Sequence, residues 1–109
     1  MLRARMQREL DTNEELAARL KRPLGAYLRS LYYDTICFEP AYLRSVVAAG
    51  SVDASHLVLG SDTPFPLGEP DPVGFVSRTF TEGTAGVADM ILQRNAGNLL
   101  GIAKPGGAR

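Results

Sequence analysis

Several residue types are scarce in this sequence. Its 109 residues include one cysteine, one histidine and no tryptophan. Cys37 cannot close an internal disulfide and has no second cysteine for a CxxC zinc knuckle, so we expect it to be a small buried apolar residue. The scarcity excludes a disulfide scaffold and a cysteine-rich metal site.

Net charge and long apolar runs are also lacking. The 12 basic and 12 acidic residues cancel, and no Lys/Arg cluster is interleaved with aromatic residues, which argues against a nucleic-acid footprint and a polybasic membrane patch. The longest apolar runs, such as Ser45–Gly50 and His56–Gly60, fall far short of the ~20 residues of a membrane span. No apolar segment of a secretory signal follows the basic N-terminus. We therefore expect a cytoplasmic chain without nucleic-acid or membrane partners.

The N-terminal part has the pattern of an amphipathic helix. Apolar residues recur near helical spacing over Leu2–Leu20, with charged and amide side chains between them. Thr12 and Glu15 fit a capping box, in which the hydroxyl and the carboxylate each bind a free backbone N–H, so two helical pieces are predicted. The second piece ends before Pro23, and a further short helix is predicted over Leu24–Arg29.

The middle of the chain alternates strand and helix patterns. Ser30–Phe38 is rich in Tyr, Ile, Thr and Phe, which predicts a strand. Glu39–Pro40 is a typical helix start, and the predicted helix over Ala41–Ala49 ends at Gly50. His56–Gly60 is a short continuous apolar run, the pattern of a strand that is buried on both faces.

Helices alone follow the second strand. After the proline-rich loop Ser61–Pro72 they are predicted at Val73–Phe80, Gly86–Arg94 and Ala96–Leu100, and the Gly/Pro-rich tail 104–109 is expected to be flexible. The order strand, helix, strand, helix predicts an α/β fold with parallel pairing. Because two strands do not make a stable parallel sheet covered on both faces, further strands are expected from outside this chain.

An aspartate, Asp62, lies just after the predicted buried strand. In HLVLGSDTPFPLGEPDP, an apolar run ends in Gly-Ser-Asp and continues into a rigid loop, which places Asp62 at the carboxyl end of a strand. In a (β/α)8 barrel the active site lies on that face, where a carboxylate can bind a divalent ion or accept a proton from metal-bound water. The alternative is that Asp62 forms an Asx-type turn.

Three blocks of the sequence carry a family resemblance. They are LRSLYYDTICFEPAYLRSVV at Leu28–Val47, LVLGSDTPFPLGEPDPVGFV at Leu57–Val76 and ILQRNAGNLLGI at Ile91–Ile102. In order and spacing they resemble the C-terminal part of the aminocarboxymuconate-semialdehyde decarboxylase branch of the amidohydrolase superfamily. The resemblance spans most of residues 24–102, whereas the first 23 residues match only loosely.

The resemblance implies a fold and a set of site residues. The chain would be the C-terminal portion, about the last two β/α units, of a metal-dependent hydrolase-type (β/α)8 TIM barrel, with residues 1–103 as a partial barrel domain. Asp62 would be the eighth-strand metal ligand and proton acceptor, and Phe65 would line the substrate pocket or anchor the loop. Asp34 and Thr35 end the preceding strand, where they would either face the pocket or cap the strand.

The resemblance also implies a reaction, but the chain lacks most of the ligands for it. Related enzymes hold one divalent ion, most often zinc, with an HxH pair and further histidines, and release carbon dioxide without oxidation from an unsaturated or aromatic carboxylic acid. Hydrolysis of an amide, ester or lactone is the alternative within the same fold. The only histidine here, His56, precedes the strand at the opposite end and is expected to have a packing role. The chain alone is therefore expected to bind no stoichiometric zinc and to have no activity.

A non-enzymatic function is the alternative from a different class. The chain would then be a remnant of such an enzyme, or a module that self-associates or takes the missing strands from a partner chain. If the chain is such a remnant or module, Met1 would be a genuine start. If it is part of the enzyme, Met1 would be an internal position of a longer reading frame.

Overall fold

A computed structural model describes residues 2–102 of the chain. The chain divides into two compact units, Met1–Leu31 and Tyr32–Arg109. The predicted tail 104–109 lies outside the described residues. No helix of the described part is long and apolar enough to cross a membrane.

The first unit consists of three helices. They are α1 (Leu2–Thr12), α2 (Glu14–Arg19) and α3 (Leu24–Ser30). The two helical pieces expected before Pro23 are confirmed, but the predicted capping box is wrong. Asn13 caps α2 by accepting a hydrogen bond from the Leu16 N–H at 3.0 Å. The Thr12 hydroxyl donates to the Arg8 carbonyl at 3.0 Å and so belongs to the end of α1.

Tyr27 holds the turn between α2 and α3. Its hydroxyl accepts a hydrogen bond from the Lys21 N–H at 3.1 Å, and the Arg22 guanidinium lies 4.6 Å from the centre of its ring. The arrangement combines a hydrogen bond with a cation–π contact. One aromatic side chain therefore fixes the turn that ends at Pro23.

The described part of the second unit combines a two-stranded parallel sheet with four α-helices. Its strands are β1 (Tyr33–Asp34) and β2 (Leu57–Val58), and its helices are α4 (Pro40–Ala48), α5 (Pro72–Thr79), α6 (Ala85–Asp89) and α7 (Asn95–Leu100). A 3-10 turn, Ala54–His56, precedes β2, and a π-helical segment, Met90–Arg94, joins α6 to α7. Tyr33 pairs with Leu57 and Asp34 with Val58, so the predicted parallel pairing is confirmed.

Both strands are much shorter than predicted. Ser30, the first residue of the strand predicted to end at Phe38, is the last residue of α3. Beyond Thr35 the chain turns, with the Cys37 N–H donating to the Thr35 carbonyl at 3.0 Å, and Phe38 has a φ of 56°. An extended ladder cannot continue through such a turn.

The core of the second unit lies between the sheet and the helices. Its buried apolar members come from α4, β2, α5 and the C-terminal helical run: Leu43, Leu57, Phe75, Val76, Phe80, Ala88 and Ile91. The predicted starts of α4 and α5 are confirmed to within one residue. The Glu39 side chain accepts the Ala41 N–H and the Asp71 side chain accepts the Gly74 N–H, both of which follow the proline that begins the helix. Cys37 is only partly buried, but it packs against this core.

Asn95 connects the C-terminal helical run to the sheet. It is buried, and its side-chain nitrogen donates to the carbonyls of Ala54 and Leu57, each at 2.7 Å. Ala54 lies in the 3-10 turn and Leu57 in β2, so one amide group fixes the segment that leads into the strand. Asn95 therefore makes a side-chain bond to the segment that precedes β2.

We expect Asn95→Ala to lower the free energy of unfolding by about 2 kcal/mol, because it removes the side-chain donor from the buried Leu57 carbonyl and from the partly buried Ala54 carbonyl, which keeps the Leu57 N–H. Urea denaturation of the full chain measures this change. Asn98→Ala is the matched control, since Asn98 lies in the same helix with an exposed side chain, and it is expected to change little. Equal effects of the two substitutions would contradict the structural role of Asn95.

Candidate functional site

Three of the four predicted site residues lie at the carboxyl edge of the parallel strand pair. Asp34 is the last residue of β1 and Thr35 follows it, while Asp62 lies four positions beyond the end of β2. Because the strands are parallel, both end at the same edge. The fourth residue, Phe65, lies farther along the loop that begins there.

Thr35 joins the two strand ends. It is only 2% exposed, and its hydroxyl oxygen accepts a hydrogen bond from the Gly60 N–H at 3.3 Å. The bond spans from the end of β1 to the segment just after β2. Thr35 therefore holds the start of the Asp62 loop, and its predicted pocket-lining role stays a prediction.

Asp34 lies against Gly60 in a contact that only glycine permits. A Cβ atom at position 60 would lie 2.9 Å from the Asp34 Cβ and 3.2 Å from the Ile36 Cγ1. The first distance is shorter than real Cβ contacts, and the second would require the Ile36 side chain to shift. The exposed Asp34 carboxylate also accepts a hydrogen bond from the Ile36 N–H at 2.8 Å, so it has the strand-end capping role expected as the alternative.

Asp62 has an exposed carboxylate on a left-handed backbone. Its φ is 56°, a conformation that aspartate adopts more readily than most residues. Its carbonyl accepts a hydrogen bond from the Phe65 N–H at 3.0 Å, which forms a tight turn. Among residues 2–102, no side chain is hydrogen-bonded to its carboxylate. The turn is thus made by the backbone and leaves the side chain exposed, whereas the Asx-type turn predicted as the alternative would use the side chain.

The loop after Asp62 closes on itself. The Glu69 N–H donates to the Ser61 carbonyl at 2.7 Å, and the Gly68 N–H donates to the Phe65 carbonyl at 2.9 Å. A Cβ atom at position 68 would lie 2.7 Å from the Ser61 carbonyl oxygen and 3.0 Å from that of Asp62. Position 68 therefore requires glycine, and the loop has a defined shape despite its exposure.

Two apolar side chains project from this loop. Phe65 is 66% exposed and Leu67 is 80% exposed. Both side chains are accessible to a ligand or another protein, on a loop that is fixed by its own backbone hydrogen bonds. Phe65 does not act as an anchor within the described residues.

Asp71 fixes the far end of the loop. Its carboxylate accepts hydrogen bonds from the Arg78 guanidinium at 2.9 Å and from the Gly74 N–H at 3.0 Å. The hydrogen bond from Arg78, followed by that from the Gly74 N–H, lowers the pKa of the Asp71 carboxyl below its usual value. Asp71 therefore caps the start of α5, and Glu69 supports this cap by accepting the Asp71 N–H at 3.0 Å.

His56 lies at the opposite edge of the sheet. Its ring stacks on Tyr32 with 4.4 Å between ring centres and an angle of 11° between the planes. Both residues immediately precede a strand, so they are at the amino ends of β1 and β2. The expected packing role of His56 is confirmed.

The described residues do not fit a zinc site by themselves. Within residues 2–102, no group of three or more His, Cys, Asp or Glu side chains is placed to hold a metal ion. A zinc site in a protein uses three or four such ligands. Asp62 could supply one of them, and the others would have to come from outside these residues.

Two residues that shape this edge, Phe38 and Gly60, were not found by sequence reasoning. Phe38 and Asp62, the two described non-glycine residues with positive φ, each follow one of the strands. Left-handed backbone at such residues is costly and is concentrated at functional sites. The sequence signal that could have revealed this contact is Gly60 itself, because a glycine at the end of an apolar run often marks a close approach of two backbones.

The chain matches no protein-family model.

Gly68→Ala is expected to open the loop, because the added methyl group cannot fit against the Ser61 and Asp62 carbonyls. Overpacking of this kind costs about 1–3 kcal/mol. Faster amide hydrogen exchange at Phe65 and Glu69 would report the opening. Gly86→Ala is the matched control, since a Cβ atom there meets nothing within 4 Å. Unchanged exchange in Gly68→Ala would contradict the proposed closure.

Asp71 is expected to make the start of α5 sensitive to acid. Since its folded pKa lies below its ordinary value of 3.8, the carboxylate stabilises the fold above pH 3.8, and this contribution is lost as the pH falls through the lower folded pKa. The Gly74 amide resonance should follow this titration by NMR. The titration should vanish in Asp71→Asn and persist in Glu82→Gln. A midpoint at or above 3.8 would contradict the lowered pKa of Asp71.

Proposed function

We propose that this chain is the C-terminal part of a metal-dependent decarboxylase of the amidohydrolase superfamily. Its reaction would be the non-oxidative loss of carbon dioxide from an unsaturated or aromatic carboxylic acid. The observation that carries the proposal is the exposed Asp62 carboxylate in the loop after a strand with a parallel neighbour. Active sites of (β/α)8 barrels lie at that edge of the sheet.

The contacts on either side of Asp62 support a preorganised site. Thr35 and Gly60 hold the start of the loop, while the contacts of Gly68 and Asp71 hold its far end. A catalytic group must be held close to its productive position by its surroundings. The Asp62 carboxylate is the part of this arrangement that has no hydrogen bond within the described residues, and it is therefore free to bind a ligand.

The chemistry of decarboxylation suits a carboxylate in this position. Loss of carbon dioxide breaks the bond between the substrate carbon and its carboxylate, and the electron pair stays on that carbon until a proton is added. A carboxyl group at the site can accept and return a proton within hydrogen-bond reach. In the complete barrel a divalent ion would supply Lewis-acid polarisation, and Asp62 would be the one ligand from the described part of this chain.

The substrate class is supported by the loop next to Asp62. Phe65 lies three residues farther along the loop and is largely exposed. An aromatic ring beside the carboxylate can pack against the unsaturated or aromatic part of a small carboxylic acid. Hydrolysis of an amide, ester or lactone would use the same edge and is the alternative reaction.

A non-enzymatic assembly module is the second candidate function. It is favoured by the sheet, which has two strands in the described part of the chain and so two edges without a strand partner. Unpaired edges are ready to pair with another strand. The missing barrel strands would then come from a partner chain or from a second copy.

The in-frame nucleotide sequence upstream of Met1 tests the enzymatic proposal first. An HxH motif and two further histidines there are expected. The longer product, loaded with zinc, should release carbon dioxide from unsaturated or aromatic carboxylic acids. Asp62→Asn should lower its kcat/KM by about 100-fold or more, since loss of even an indirect partner of a metal site costs about 10–100-fold. Glu82→Gln is the control, with an exposed acid outside the loop.

Two outcomes would contradict the enzymatic proposal. Activity that survives Asp62→Asn would remove the residue from the site, and an upstream sequence without histidines would favour the assembly module. The 109-residue chain alone is expected to hold less than one zinc per chain by elemental analysis. One tightly held zinc in that tag-free chain would contradict the incomplete ligand set.

A further inference from the structure

Two arginine side chains of the first unit meet over Gly25. A Cβ atom at Gly25 would lie 3.2 Å from the Arg29 Nη1 atom and 3.6 Å from the Arg3 Nη2 atom. Because both distances start from one point, the two nitrogens are no farther apart than the sum of 3.2 and 3.6 Å. Arg3 lies in α1 and Arg29 in α3, so guanidinium groups from two helices converge on one position.

The glycine provides the space for this convergence. Arg29 lies four residues after Gly25 in α3, and a long side chain in a helix points back toward the residue four positions earlier. An alanine methyl group at position 25 would lie so close to the Arg29 Nη1 atom that the arginine would have to shift. Glycine within a helix costs about 0.5–1 kcal/mol relative to alanine. At this position it leaves room for two charged groups.

Arg3 and Arg29 lack the acidic neighbours that the other helical arginines of this unit have. Those other arginines each have an acidic residue three or four positions away in the same helix: Arg5 with Glu9, Arg8 with Asp11 and Arg19 with Glu15. Arg3 and Arg29 have none at these positions. Both are exposed, and neither forms an ion pair or a side-chain hydrogen bond within residues 2–102. Two like charges that repel each other are therefore held together without a counter-charge.

A phosphate group has the charge and the shape to bind at this point. It carries a charge of about −1.5 to −2 at pH 7 and has three strong acceptor oxygens. Guanidinium–phosphate hydrogen bonds are about 2.7–2.9 Å long, so one phosphate can accept from both arginines at their separation. A carboxylate carries one charge and would balance one arginine only. The first unit also has seven basic and four acidic residues, which favours an anion.

We propose that Arg3 and Arg29 form a binding site for the phosphate group of a small molecule, over the open surface of Gly25. The ligand is inorganic phosphate or a phosphate monoester, which share the same dianionic group. The site lies within the first unit, so it is independent of the decarboxylase proposal, which concerns the second unit.

An NMR titration of the full chain with inorganic phosphate and with glycerol 3-phosphate tests the site. The Gly25 amide signal should shift and saturate with at least one of them, and the tighter ligand identifies the source of the phosphate group. Arg3→Gln and Arg29→Gln should each raise the Kd about tenfold, because each removes half of the charge and of the donors. Binding should weaken below pH about 6, where phosphate loses its second charge and the arginines keep theirs.

Arg8→Gln is the matched control. It removes the same charge from α1, but Arg8 has Asp11 three positions away, so the Kd should change little. Acetate, with a single charge, should bind more weakly than either phosphate, and circular dichroism shows whether each variant keeps its helices. The proposal is overturned if neither phosphate gives saturable shifts in the millimolar range. It is also overturned if Arg8→Gln weakens binding as much as Arg3→Gln, or if acetate binds as tightly as phosphate.

Discussion

The second unit depends on the two hydrogen bonds that the Asn95 side chain donates to the carbonyls of Ala54 and Leu57. They tie the C-terminal helical run to the amino end of β2, in a region where Leu57 and Ile91 are fully buried. At the other end of the strand, Thr35 binds the Gly60 N–H. A strand of two residues is too short to be fixed by its own ladder, so side chains at both ends define its position. The loop that carries Asp62 begins at a point set by these bonds.

The parts of the fold that could be predicted are those determined by residues adjacent in the sequence. Helix starts at Glu39–Pro40 and Asp71–Pro72 follow from an acceptor side chain beside a proline, and both are present. Strand lengths were overestimated because the extent of a strand depends on the partners along its edges, which no local pattern reveals. The cap of α2 was misplaced by one residue. Thr12 and Asn13 are both suitable caps, and the break between the helices decides between them.

The same division holds at the carboxyl edge. Asp62 was found because its position after an apolar run is a local property of the sequence. Gly60 and Gly68 were missed since their roles arise from atoms of other residues, the Asp34 Cβ and the Ser61 carbonyl, that approach them in space. Thr35 is buried and bonded to the Gly60 N–H, a contact that no local pattern predicts, and its pocket-lining role stays a prediction. Strand alternation alone does not fix which way a residue points when the strand ends there.

The π-helical segment Met90–Arg94 has a consequence for comparing this chain with others. Within it the Asn95 N–H donates to the Met90 carbonyl, five residues earlier, so this turn contains one residue more than an α-helical turn. Such a turn is equivalent to a single-residue insertion in a regular helix. A relative with an unbroken α-helix here should be aligned with a one-residue gap between Met90 and Asn95. Without that gap, every position after the turn is matched to a residue on a different side of the helix, and the equivalent of Asn95 is lost.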